Sequence, residues 1–245
     1  MSTVFTKAIV VGASSGIGEA IAKQLAASGA TVAVLGRRAA ELDRVCAGSD
    51  RLKPYAHDVE AFDEVPALFE RVVADLGGLD LLVYAAGVMP TVAEGEYSFD
   101  KDRQMMAVNV VGAMAWMNPA AARFEAARSG TLLGISSIAG ERGRRANPGY
   151  TTSKAALTAY LEALRNRCSR YGVNVVTAKP GFVATAMTRG LGKLLWIISP
   201  EEAARQSLAL AARGSSASGF VPARWSLVAW VVRSIPSWLF RRTNV

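Results

Sequence analysis

The chain has 245 residues, 51% of them hydrophobic, with one histidine and two cysteines, and its 28 Lys and Arg against 20 Asp and Glu leave a net charge of +8. That length suits one α/β domain, the apolar share suits a sheet covered on both faces, and nothing marks a second domain. A lone histidine, His57, cannot build a histidine-based metal centre, so no metal is expected. Cys46 and Cys168 lie in helix-like contexts and point to a reduced, cytoplasmic setting. Residues 1–7 lack the basic and long apolar parts of a signal peptide. No apolar run approaches the ~18 residues that span a bilayer. The positive charge directs attention to acidic partners: nucleotide phosphate, an acidic carrier protein or anionic lipid. No nucleic-acid-binding module is recognisable, and none is expected as a partner.

Strand-like runs at 8–11, 31–35, 52–56, 79–85, 130–135, 173–178 and 220–221 are separated by helical patterns. Such alternation predicts a parallel sheet with right-handed crossovers. The first run is followed by Gly12-Ala13-Ser14-Ser15-Gly16-Ile17-Gly18 and a helical pattern from Gly18 to Ser28. Strand, glycine turn and helix is the context of a dinucleotide phosphate site. The glycines let the backbone approach closely, and the helix N-terminus presents amides to the pyrophosphate. Far downstream, Ser137 closes the fifth run, and Tyr150 and Lys154 stand one helical turn apart on one face. An ammonium beside a phenol favours the phenolate and lowers the tyrosine pKa, which suits proton exchange with a carbonyl oxygen near neutral pH.

These motifs together make the chain resemble the short-chain dehydrogenase/reductase family over roughly residues 5–223. The resemblance implies an α/β, Rossmann-type doubly wound sheet of seven parallel strands, ordered 3-2-1-4-5-6-7 and flanked by helices. On that basis residues 1–223 form a single NADP-binding domain. At the end of the second run, Gly36-Arg37-Arg38 has no carboxylate to bind a ribose 2′-hydroxyl and has two arginines suited to a 2′-phosphate. NADP(H) is therefore the expected cofactor, with Arg37 the first choice of partner and Arg38 the second. Asp58, followed by Val59, matches the family's adenine-binding aspartate. Ala86 and Gly87 match its small surface beside the adenosine, although Tyr84-Ala85 stands where the family carries asparagines. The lost asparagines must be replaced by some other support between strands.

The resemblance also assigns Asn109 a backbone carbonyl that holds a water leading to Lys154, and it selects Ser137 rather than Ser136 by its spacing to Tyr150. Pro180, Gly181, Val183 and Thr185 match the segment that holds the nicotinamide carboxamide. Residues 186–199, with Met187, Leu191, Leu194, Leu195, Trp196 and Ile197, match the substrate lid. Its apolarity favours a hydrophobic substrate, and Gly190 and Gly192 leave it able to move. The loop from Gly140 to Arg145 is rich in glycine and arginine. It reads either as a solvated face or as a contact for an anion at the site's mouth.

The last stretch, 224–245, is basic and tryptophan-rich. From Phe220 onward it has Trp225, Trp230 and Trp238, four arginines and no acid. Apolar positions 225, 228, 232, 235 and 239 recur with helical spacing, and Pro236 divides the stretch into two pieces. Such a segment either lies on an anionic membrane, here the inner surface, through residues 224–242, or packs over the lid or a neighbouring subunit. The sequence thus predicts an NADP(H)-dependent oxidoreductase interconverting a hydrophobic or lipidic ketone and its secondary alcohol. Asn109, Ser137, Tyr150 and Lys154 form its catalytic set. The alternatives are a 3-oxoacyl carrier-protein reductase and a non-catalytic membrane-associated protein of the same fold. Family members commonly pair through the helix bearing Tyr150, giving homodimers or homotetramers. Asn118-Pro119 interrupts the pattern of the helix before it.

Overall fold

Short runs, rich in valine, leucine and isoleucine in all but the third and the last, form the strands β1 (Lys7–Val11), β2 (Thr31–Gly36), β3 (Leu52–Ala56), β4 (Leu81–Tyr84), β5 (Thr131–Ile135), β6 (Asn174–Pro180) and β7 (Ala217–Val221). The computed structural model describes residues 5–192 and 194–243. Most of the leader stretch read above (1–4), residue 193 of the 186–199 stretch and the last two residues of the basic segment lie outside the described residues. The strands pair in parallel in the order β3-β2-β1-β4-β5-β6-β7, the order that the family resemblance implies. All strand bounds but those of β3 shift from expectation, by one to three residues, and two shifts have a visible cause. β4 starts after Asp80, whose carboxylate accepts the amides of Thr6 and Lys7 and so closes the entry to β1. β7 begins three residues before Phe220, because Ala217-Ser218-Gly219 pairs with β6 without any apolar signal.

Alternation along each strand sends neighbouring residues to opposite faces. On one face, Val10, Val34, Val83 and Val176 pack under α1 (Gly16–Ala27), α2 (Ala39–Cys46) and, later in the chain, the helix Pro200–Ala211. On the other, Ile9, Leu35, Leu82 and Leu132 pack under α3 (Val65–Leu76) and the two long helices Gly112–Ala127 and Pro148–Cys168. With α4 (Phe99–Met106) preceding them, these become α5, α6 and α7 in chain order. Both cysteines are free.

Pro119 does not break α5, contrary to the sequence pattern. An interior proline costs about 3 kcal/mol. Fully buried Trp116 alone removes on the order of 150–250 Å² from water, about 4–6 kcal/mol at ~25 cal/mol per Å². Between α4 and α5 the chain makes a π-helical turn, Ala107–Val111. The Tyr84 hydroxyl donates to the Val108 carbonyl of that turn at 2.5 Å, which ties β4 to the turn rather than to a neighbouring strand.

After β7 come α8 (Trp225–Ser234) and α9 (Ser237–Phe240), divided by Pro236 as the spacing predicts. The apolar face that the sequence offered to a membrane is largely turned inward. Trp225 and Val232 are buried and Val228 and Ile235 half-buried, with Trp225 edge-on to Phe182 at 5.7 Å and to Trp196 at 5.4 Å. Arg142 fastens the end of α8: it donates to the carbonyls of Val232, at 2.6 Å, and Ile235, and lies 4.2 Å over the Phe240 ring. Buried Glu141 pairs with Lys179 at 2.8 Å and with Arg233, so β6 and α8 are tied through one carboxylate. Residues 224–243 therefore pack against the domain, while a second apolar set, Leu227, Trp230, Val231, Trp238 and Leu239, faces out.

Candidate active site

Parallel strands leave their carboxyl ends together along one edge, and the loops that follow β1, β4, β5 and β6 meet there. After β1 the chain turns at Gly12, whose φ of 87° lies in the left-handed region. A Cβ at Gly12 would lie 2.3 Å from the Ala86 amide nitrogen, and one at Gly18 only 2.1 Å from the Gly12 carbonyl oxygen. Ala86-Gly87 and the glycine turn are thus in backbone contact, as their small residues require. Ser15 caps α1 by position but not by a side-chain hydrogen bond, so the first-turn amides, at Gly16, Ile17 and Gly18, are left uncapped. This end of the helix fits a phosphate group.

Arg38 donates to Ser14 Oγ at 3.0 Å and to Ser15 Oγ at 3.2 Å. Arg37 instead points to Asp58, at 3.6 Å, and Asp58 itself accepts the Glu60 amide. Of the two arginines, Arg38 is therefore the one over the phosphate turn. Val59 is half-buried against the α3/α5 layer.

Ser136 and Ser137 diverge at the end of β5. Ser136 is buried and bonds the Lys154 carbonyl and Thr158 Oγ1, a packing role. Ser137 opens toward a cavity of about 450 Å³ and accepts the Ala139 amide at 3.1 Å. Tyr150 and Lys154 line the same cavity from α6. The helix starts where it does because Asn147 Oδ1 accepts the Tyr150 amide at 3.0 Å and Pro148 occupies the first turn. Asn147 also donates to the Pro90 carbonyl, joining the helix start to the loop after β4. The sequence reading missed this residue, although Asn-Pro-Gly before a helical pattern is a start signal.

Lys154 is buried, donates to the Ile135 carbonyl at 3.0 Å, and lies 5.9 Å from the Tyr150 ring centroid. Burial alone holds its ammonium down at about 8. Burial pushes the Tyr150 phenol up, while hydrogen bonding with Ser137 and the charge of Arg144 pull it back. The expected depression of Tyr150 by Lys154 is thus corrected: the net direction is upward, and the cation that acts on the phenol is Arg144. Asn109 lies on the π-helical turn, with its side chain locked to Val88 at 2.8 and 3.1 Å and to Ser153 at 2.9 Å. A Cβ on Gly87 would be 3.4 Å from Asn109 Oδ1 and 3.5 Å from Lys154 Nζ, so the two flank one backbone step.

Pro180, Gly181, Val183 and Thr185 line the cavity from the β6 side, and Ile17 brings the start of α1 to it. Thr185 sits against Gly16, where a Cβ would be 3.2 Å from its methyl group. The lid stretch is pinned at its far end by a Val183–Ile198 bridge and contributes Met187 and Leu191 to the wall. Trp225 closes the cavity from α8 and lies so close over Gly181 that any side chain there would collide with it. Periodicity marked Trp225 as apolar but could not place it here.

The comparisons agree with this geometry. The family model for short chain dehydrogenase matches residues 6–194. An uncharacterized oxidoreductase of Myxococcus xanthus (strain DK1622) is 35% identical over 188 residues, covering 75% of this chain and 74% of that protein. A solved short chain dehydrogenase/reductase family protein is 27% identical with a TM-score of 0.79, covering 90% of this chain and 97% of the other. The structure of ElxO with NADP bound shares the fold at 18% identity and a TM-score of 0.78, covering 90% of this chain and 99% of that one. The chain belongs to the short chain dehydrogenase family.

Proposed function

We propose that this oxidoreductase is an NADP(H)-dependent enzyme that reduces an apolar ketone to a secondary alcohol. One observation carries the reading: Ser137, Tyr150 and Lys154 converge on a single cavity that reaches the uncapped start of α1. NADPH, when bound, supplies the hydride to the carbonyl carbon. The Ser137 hydroxyl holds the carbonyl oxygen, and Tyr150 gives that oxygen its proton, so that ketone, hydride and proton sum to the alcohol. A phenol whose pKa is raised is neutral at pH 7, which is the donating form and favours the reductive direction. Lys154, held near 8 and 5.9 Å from the Tyr150 ring, is the more acidic group, so a proton that it takes up from solvent can replace the one Tyr150 loses.

Preference for NADP(H) rests on Arg38 and its two serine partners. Gly36 adds to it, because a side chain there would crowd Ser14 at 3.2 Å and close the space beside the arginine. The test is the loss of reduced-nicotinamide absorbance with a panel of apolar ketones. NADPH should serve and NADH poorly. In Arg38→Ala the KM for NADPH should rise at least tenfold with little change for NADH, since a charge-assisted hydrogen bond contributes about 1.5–3 kcal/mol. Equal losses with both cofactors would make Arg38 a structural residue.

The outward set on α8 and α9 supports a second proposal, contact with anionic lipid. Among the described residues no helix is long and apolar enough to cross a membrane. Leu227, Trp230 and Trp238 are nevertheless exposed beside Arg224, Arg241 and Arg242, an apolar and basic mixture that suits a lipid headgroup layer. A second copy of the same positive face would repel it.

A further inference from the structure

The three arginines of the loop before α6 go three ways. Arg142 is spent on the end of α8, and Arg145 has an interaction of its own. Arg144 alone turns into the catalytic cavity, where it forms part of the wall with Tyr150. Its Nε is buried and has no hydrogen-bond partner, and among the described residues no acidic side chain pairs with it. The acid on its own loop, Glu141, is already held by Lys179 and Arg233. Trp225 Nε1 is the other buried polar atom of the cavity wall without a partner, and it too is a donor. Near the lid the wall mixes apolar residues, Met89, Val92, Phe182 and Leu191, with Thr188 and Arg189 of the lid itself.

A guanidinium in such surroundings is costly unless an anion meets it, and burial accordingly pushes the Arg144 pKa down. The unpartnered atom is Nε, which with a neighbouring Nη forms the side-on fork that a carboxylate matches with two parallel hydrogen bonds. We propose that Arg144 is a substrate-binding residue and that the natural substrate is an oxo acid, its carboxylate a few bonds from the ketone and its remainder apolar. This rests on the ketone-reductase reading above and sharpens it. Tyr150 and Ser137 address the ketone oxygen, Arg144 the carboxylate, and the lid the chain.

The test uses the full chain with NADPH and matched pairs of substrates: medium-chain 2-oxo and 3-oxo acids and their methyl esters. Wild type should prefer at least one acid over its ester by tenfold or more in kcat/KM. Arg144→Met should lose that preference through KM of the acid, whatever shift in rate acid and ester share, and Arg144→Lys should keep part of it. Wild type preferring the esters would overturn the proposal. So would a Met variant that loses acid and ester by the same factor and so keeps the preference, because Arg144 would then act through Tyr150 alone. Ketone reductase failure is read separately, as no turnover of either member of any pair. A thermal-shift titration with decanoate against methyl decanoate then decides the arginine by itself. A carboxylate-dependent shift that Arg144→Met abolishes supports the site, and an equal response to both compounds or none refutes it.

Discussion

Replacing Lys154 with methionine should inactivate the protein and at the same time stabilise it. The lysine is buried among apolar groups, its ammonium is met only by the Ile135 carbonyl at 3.0 Å, and its pKa falls from 10.5 to about 8. That displacement corresponds to about 3 kcal/mol of folding free energy set against the charged form, at ~1.36 kcal/mol per pH unit. Methionine fills a similar volume without charge but leaves the Ile135 carbonyl unpaired, which costs about 1 kcal/mol. A net gain of about 2 kcal/mol remains, or roughly 4–8 °C in Tm for a chain of this size. The pH dependence supplies the sign. Below pH 8 the lysine is protonated in both states and the penalty is complete. From about 8 to 10.5 the folded lysine releases its proton while the unfolded one keeps its own, so wild type gains stability with rising pH. The Tm difference between variant and wild type, followed by scanning calorimetry, should be largest at pH 7 and shrink toward pH 10. A variant that melts below wild type at pH 7 would refute the reasoning, because the ammonium would then be a net structural asset.

His57 is the only histidine, is buried edge-on to Trp116 at 5.5 Å, and has its pKa pushed below 6.5 by burial against the opposing pull of Glu64. Its neutral form stabilises the fold fully above pH 6.5, and that contribution is lost as pH falls from there toward the folded value. Tm should fall between pH 7.5 and 5.5, and His57→Phe should remove at least half of the drop; an unchanged slope would place the titration elsewhere. The outward face of α8 and α9 should bind vesicles of anionic lipid and release them as salt rises, with each arginine contributing on the order of 1 kcal/mol. Trp230→Ser combined with Trp238→Ser should weaken binding without lowering Tm, and intact protein that ignores such vesicles at low salt would end that proposal.

The sheet was legible because one physical rule repeats in the central strands: Ile9 and Val10, or Leu82 and Val83, are neighbours that must both be apolar when both faces are covered. Gly12 and Gly18 were legible for a similar reason, since backbone atoms occupy the space where their side chains would be. β7 was read short because Ala217-Ser218-Gly219 pairs through backbone bonds and carries no pattern of its own. Pro119 misled because local chemistry disfavours helix there while Trp116 and its neighbours hold the turn from outside it. The cations were least legible. Arg37 and Arg38, or Arg142 and Arg144, are chemically identical in a string of letters, and only the backbone direction of each loop sends one to a serine or a cavity and the other to a carboxylate or a helix end. Trp225 shows the same gap, because helical spacing identifies a buried face without saying what buries it.

The central claim is that Tyr150 delivers the proton while the rest of the site binds. It is tested most directly by measuring NADPH affinity and single-turnover ketone reduction in Tyr150→Phe. The ring and its packing persist in that variant, so NADPH should bind as in wild type, while the reduction rate should fall by about 10²–10⁴-fold, the usual contribution of a positioned general acid. A Tyr150→Phe enzyme that keeps more than a few per cent of its turnover rate would contradict the account.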